Sequence, residues 1–131
     1  MNYKTIAYWV LRLVPAFIML QTLYFKFTGA EESIEIFTRV GMEPWGRYAV
    51  GVLELVASIL LLINSAAWMG AALGLGLMAG AIGMHFLILG IEVRGDGGQL
   101  FLYAVVVAAC SAVVLFLERE KVMSFWRSFR R

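Results

Sequence analysis

Four long apolar stretches fill most of this 131-residue chain, and they leave few folds open to it. A helix needs about 20 mostly apolar residues to cross the hydrocarbon core of a bilayer. Residues 5–25, 48–63, 66–91 and 99–117 reach or approach that length. The first is interrupted by Arg12 and Gln21, the second by Glu54 and the third by His85, while the fourth carries no charge. Hydrophobic residues make up 62% of the chain and charged residues 15%, at a mean hydropathy of +0.83. A soluble domain is closer to half apolar, so the excess must face lipid. Asn64-Ser65 makes a tight turn between the second and third segments, and the run Arg94 to Gly98 is a turn-rich break before the fourth. The expected fold is all-α: an integral membrane antiparallel four-helix bundle, one domain over residues 1–131.

Several function classes drop out. Cys110 is the single cysteine, so the chain can form neither an intrachain disulfide nor a CxxC redox pair. His85 is the single histidine, which argues against a metal site or a bis-His haem; no metal is expected. A net charge of +2 is too small to argue for nucleic acid. Thr28-Gly29-Ala30 resembles a signal-peptidase site, but the apolar stretch before it is longer than the usual h-region of about 7–15 residues and contains Arg12. The first segment is expected to be a retained helix.

The long connection and the tail carry amphipathic patterns. Thr28 and Glu31 fit a capping box, and Gly41 with Pro44 fits a helix stop, which predicts a short helix over 29–40. Ile34, Ile36, Phe37 and Val40 share one arc of it, so it lies on the membrane or caps the bundle. Trp45 and Tyr48 follow as interfacial anchors. In the tail, 118–131, Val122, Phe125, Trp126 and Phe129 repeat at helical spacing among Arg119, Lys121, Arg127, Arg130 and Arg131. A basic amphipathic helix of this kind suits an anionic lipid surface. Four spans put Lys4 and this tail on one side, and the positive-inside rule makes that side cytoplasmic. Small residues write the helix packing: Gly70-xxx-Gly74 and Gly76-xxx-Gly80 on the third segment, and alanines at 104, 108 and 112 on the fourth. They serve contacts within one chain or between chains.

Ionisable residues inside a membrane are costly and are functional candidates by default. Here they are Arg12, Glu54 and His85, with Lys26 at the border. At about 1.5 Å per residue, Glu54 lies roughly 10 Å inside the outer face and His85 at similar depth. Side chains lean toward their own helix N-terminus, so Lys26 and Glu54 approach each other. A Lys26–Glu54 ion pair with His85 nearby follows. It is either a ligand or proton-relay site or a structural pair beside a core histidine. Arg12 belongs to the inner half, with no acidic residue at its depth. Its partner is expected among backbone carbonyls, Asn64, a lipid phosphate or an anionic ligand, unless it snorkels to the headgroups.

These residues, in this order, resemble the DoxX-like family of small bacterial membrane proteins. The resemblance begins at Leu11-Arg12-Leu13 and continues at Phe25-Lys26-Phe27 and at Val40-Gly41-Met42-Glu43-Pro44. It is clearest at Gly51-Val52-Leu53-Glu54-Leu55, and His85 falls where many members carry a histidine. It covers residues 11 to about 117; the glycine usual before the lysine is missing. The resemblance implies a bacterial cytoplasmic (inner) membrane location. It points to an accessory subunit of a quinone-linked membrane redox system, because the family takes its name from a subunit of a thiosulfate:quinone oxidoreductase. In that reading Lys26, Glu54 and His85 hold a quinone headgroup or small anion. Two alternatives stand beside it: a non-enzymatic assembly partner, acting on another membrane protein or on its own copies, and a solute or lipid carrier acting as an oligomer.

Overall fold

The computed structural model describes residues 2–130 and is built from helices. These are α1 (Tyr3–Thr28), α2 (Glu31–Arg39), α3 (Trp45–Leu62), α4 (Ala67–Met84, continued by a π-helical turn over His85–Leu89), α5 (Gln99–Leu117) and α6 (Arg119–Phe129). Four of them, Tyr3–Thr28, Trp45–Leu62, Ala67–Leu89 and Gln99–Leu117, are long and apolar enough to cross a bilayer. Inside hydrocarbon no water can satisfy a free N–H or C=O, so a spanning segment must close its own ladder, and these do so as helices. Each span packs on its neighbours around a square: α1 against α3 and α5, α4 against α3 and α5. With four spans, both chain ends and α6 fall on one face; α2 falls on the other.

The bundle is inside out relative to a soluble one. Arg12, Glu54, His85, Ser58 and Ser111 are buried among Ala57, Leu61, Ala71 and Val107, while Phe17, Phe86, Leu87 and Phe116 point outward. Lipid is as apolar as leucine, so close backbone approach and polar contacts hold the helices rather than burial of large side chains. Gly70 shows this directly: a Cβ there would meet the Ala57 carbonyl oxygen and the Leu61 nitrogen, each at 2.7 Å. At Gly76, Gly80 and Gly83 a Cβ would meet nothing within 4 Å. Of the two glycine pairs on this span, only Gly70 and Gly74 pack within the chain. Gly70→Ala is expected to cost about 1–3 kcal/mol, because α3 backbone must move aside. Gly76→Ala is expected to stay within about 0.5 kcal/mol of the parent. Denaturant titration in mild detergent reads both.

The connection after α1 departs from the capping-box expectation. Thr28 closes α1, its hydroxyl donating to the Tyr24 carbonyl at 2.5 Å, and Gly29 ends the helix in the left-handed region at φ 70°. The next helix therefore starts at Glu31, after an Ala30 cap that makes no side-chain bond, and ends at Arg39 rather than 40. Its inward face follows the expected arc at Phe37, buried, and at Ile36 and Val40, half-buried, while Ile34 is exposed and Ser33 is buried beside Phe37. This helix roofs the bundle. Glu35 pairs with Arg94 at 3.2 Å, and Arg39 donates to the Ile88 carbonyl at 3.0 Å. The third span, expected to run to 91, stops at Leu89. There the π-turn closes when the Gly90 N–H donates to the His85 carbonyl at 2.7 Å, with φ 81° at Gly90.

Asp96 organises the turn before α5. Its Oδ1 accepts from the N–H groups of Val93 and Gly98, and its Oδ2 from that of Leu100 in the first turn of α5. Burial alone raises the Asp96 pKa, but these backbone donors outweigh it and hold the carboxyl below its ordinary 3.8. A folded-state value below the unfolded one gives stabilisation that is complete above the unfolded value and lost as pH falls through the folded one. Hydrogen exchange should therefore show the Gly98 and Leu100 amides protected at neutral pH, with protection lost on acidification below the ordinary carboxylate range. Asp96→Asn should show no such acid step.

Candidate functional site

A cavity of about 530 Å³ opens in the half of the bundle beneath α2. All four spans and α2 line it. Its walls are mostly apolar, from Ile18 and Met19 on α1, Phe37 on α2, Val50 on α3, Leu77, Met78 and Leu89 on α4 with its π-turn, and Leu100 and Ala104 on α5. Gly76 and Gly80 also line it and are exposed. The polar groups converge from separate helices. Lys26 Nζ lies 2.9 Å from Glu54 Oε1, an ion pair across α1 and α3. Thr22 Oγ1 lies 3.1 Å from Glu54 Oε2 and 2.9 Å from the Met19 carbonyl, so its one proton serves one of them at a time. His85 enters from the π-turn of α4.

The local reasons are visible in the sequence. Thr22 and Lys26 are four apart on α1 and share a face. Gly51 is the close-approach point opposite: a Cβ there would meet the Phe27 ring at 2.9 Å, so the glycine lets α1 and α3 close around the ion pair. Arg47, buried at the start of α3, is paired with Glu43 at 2.9 Å and donates through Nη1 to the Lys26 carbonyl. That satisfies one of the carbonyls left open in the last turn of α1 and fixes the end that carries Lys26.

His85 is 3% exposed. Its Nδ1 lies 2.8 Å from the Ala81 carbonyl, and Phe101 packs edge-on with ring centroids 5.5 Å apart. Nε2 is buried with no hydrogen-bond partner. Gln21, Glu32, Ser33, Asp96, Gln99 and Tyr103 complete the polar lining. Glu32, Ser33, Gln99 and Tyr103 do not stand out in the sequence, because they reach the cavity only through the way α2 and α5 are placed.

Arg12 is not part of this site. It lies on the same stripe of α1, with Ala16, Met19 and Leu23, but in the half toward the chain termini. It is buried rather than extended to the surface, at 1% exposure. Its Nε donates to the Leu61 carbonyl at 2.7 Å and its Nη1 to Asn64 Oδ1 at 2.9 Å. The guanidinium sits 4.0 Å from the centroid of the Trp9 ring and 5.2 Å from that of Tyr8. The expectation that no acidic residue shares this depth is corrected by Glu118, which accepts from the Tyr8 hydroxyl and pairs with Lys121 at 3.2 Å. Burial raises the Glu118 pKa, but the Tyr8 and Lys121 hydrogen bonds outweigh it and hold the carboxyl below its ordinary range. Lys121 also donates to the Asn64 carbonyl at 3.3 Å, and Phe125 packs on Trp68 with centroids 5.2 Å apart. These contacts tie α6 to the bundle. Residue 118 lies beyond the last apolar run, so its contact with α1 depends on the bundle closing.

Among the described residues, no group of three or more His, Cys, Asp or Glu side chains is placed to hold a metal ion. A family model described as DoxX matches residues 7–89, a stretch that holds Arg12, Lys26, Glu54 and His85 and stops before α5. No curated protein and no solved structure matches the chain.

Proposed function

The chain belongs to the DoxX family, and on that premise we propose that it serves as an accessory subunit of a quinone-linked redox system in the bacterial cytoplasmic membrane, with its termini in the cytoplasm. The observation that carries this reading is the cavity beneath α2. Its volume suits a ring-sized headgroup, its walls suit an apolar tail, and Lys26, Glu54 and His85 are among its polar groups. A few polar groups in a mostly apolar pocket is the usual composition of a small-molecule site. Two inward charges inside a membrane also need a reason to persist, and binding a polar headgroup supplies one. The orientation rests on Lys4 and the basic α6, which share the face of the chain ends. With a single cysteine and a single histidine, the chain leaves electron transfer to the bound quinone or to a partner protein.

Glu54→Gln tests it. The protein is purified in mild detergent, and bound small molecules are extracted and identified by mass spectrometry. A stoichiometric isoprenoid quinone in the parent and its loss in the variant is the expected result. Bulk phospholipid alone in both samples would remove the quinone reading. It would favour the second one, in which the open Gly76, Gly80 and Gly83 positions meet another membrane protein. That reading predicts that Gly80→Leu breaks a complex while the chain itself still folds.

A further inference from the structure

We infer that the cavity beneath α2 also takes lipophilic organic cations: ligands with an apolar, ring-bearing body and one positive centre. This goes beyond the quinone reading, since a quinone is uncharged and leaves the charge of the cavity unused. Residues 26–96 carry seven carboxylates against four lysines and arginines, and the rest of the chain carries two against seven. The acidic set belongs to α2, the span ends beside it and the turn before α5, together with Glu54, so it lies in the half of the bundle that holds the cavity. Three ion pairs use up most of its cations: Lys26 with Glu54, Arg47 with Glu43 and Arg94 with Glu35. Among the described residues this leaves Glu31, Glu32, Glu92 and Asp96 outside any ion pair, against Arg39, which donates to the Ile88 carbonyl. Glu32 and Asp96 line the cavity and Arg39 does not. With Lys26 and Glu54 cancelling, the lining is net negative.

Each carboxylate has a different part. Asp96 acts through its charge alone, because its oxygens already accept from the N–H groups of Val93, Gly98 and Leu100. Glu32 is exposed in the first turn of α2, at the rim. Glu54 is buried in the interior. When Thr22 gives its proton to the Met19 carbonyl at 2.9 Å, Glu54 Oε2 is free to meet a cation. The walls suit the body of such a ligand. Phe25, Phe37 and Tyr103 are aromatic partners for a positive centre, and Met19, Met78 and Met84 are soft, adaptable surface. A volume of about 530 Å³ falls within the range of about 300–1,000 Å³ usual for small-molecule sites. Among the described residues no three carboxylates meet closely enough to hold a metal ion, so the charge suits a bulky organic cation rather than a bare one. In an apolar cavity the sign of a ligand's charge matters far more than in water, and an acidic mouth draws cations toward it.

Two probe ions of nearly equal size and opposite charge test this: tetraphenylphosphonium and tetraphenylborate. The full chain in maltoside micelles is dialysed to equilibrium against each, with protein-free micelles as the blank. The phosphonium is expected to bind about tenfold more tightly than the borate. Glu54→Gln and Glu32→Gln should each weaken the phosphonium by about threefold or more, and Glu31→Gln, next in sequence to Glu32 but outside the cavity lining, by less than about twofold. Glu32 is exposed, so its variant tests the charge without disturbing the buried ion pair. Equal binding of the two ions, tighter binding of the borate, or no binding of the phosphonium would overturn the inference. So would equal losses for Glu31→Gln and Glu32→Gln with none for Glu54→Gln, which would place the ion on the acidic surface and not in the cavity. The quinone reading is decided separately by the small molecules extracted from the purified protein, so either can fail alone.

Discussion

Replacing Lys26 with methionine is expected to destabilise the folded protein by about 3–5 kcal/mol, the usual cost of removing one partner from a buried ion pair. Glu54 Oε1 loses its cation at 2.9 Å and is left in the bundle interior with Thr22 as its remaining polar neighbour. The reverse change, Glu54→Gln, is expected to cost less. The Lys26 side chain is 14% exposed against 3% for Glu54 and sits near the end of α1, so its ammonium can lean toward the headgroups. The double variant Lys26→Met with Glu54→Gln should recover much of the loss, since removing both charges also removes the cost of burying them. Denaturant titration of all three proteins in mild detergent gives the coupling directly. Equal costs for the two single variants would mean that Lys26 is as firmly held as Glu54, against the exposure difference on which the asymmetry rests.

Arg12→Leu is expected to cost about 3 kcal/mol, from charge-assisted hydrogen bonds and a stacked cation lost together. The Leu61 carbonyl belongs to the last turn of α3, where no later N–H of the helix can reach it, and Arg12 Nε supplies its donor at 2.7 Å. Nη1 holds Asn64 at the α3–α4 turn, and the planar group lies over Trp9. Arg12→Lys should restore the charge and little of the stability. An ammonium cannot serve the Leu61 carbonyl and Asn64 from one fixed plane, and it stacks less well on an aromatic face. A loss below about 0.5 kcal/mol for Arg12→Leu, measured by the same titration, would show that this arginine contributes no more than an ordinary surface residue.

The two arginine and lysine sites were not equally readable in advance. Lys26, Glu54 and their meeting follow from counting residues from each span end and from the lean of helical side chains. Asn64 as a partner of Arg12 follows from the same depth argument. Glu118 does not, because its depth is set by where α5 ends against α1 and not by any apolar run. Arg47 carries no signal in the sequence beyond a positive charge just ahead of the second apolar run. It is buried because α3 begins at Trp45, early enough to aim it at the open end of α1. Thr28 is a third case: as the last residue of α1 its hydroxyl turns back to Tyr24, so it cannot cap the helix that follows.

By itself the sequence determined the class of the fold and the short set of inward polar residues from which the site draws. Hydrocarbon admits spanning segments only as closed helices or barrels, and the lengths of the apolar runs select helices. The cost of a charge at that depth marks Arg12, Lys26, Glu54 and His85 as inward-facing. Tertiary structure decided which of them share a space. Arg12 and Lys26 lie on one stripe of α1, yet only Lys26 reaches a cavity, because α2 roofs one half of the bundle and Leu61 and Asn64 fill the other. It also decided what the glycines are for. Gly70 sits where α3 backbone passes, while Gly76 and Gly80 sit beside the cavity. Spacing along one helix is the same in both cases, and the difference lies in what the neighbouring helix places opposite.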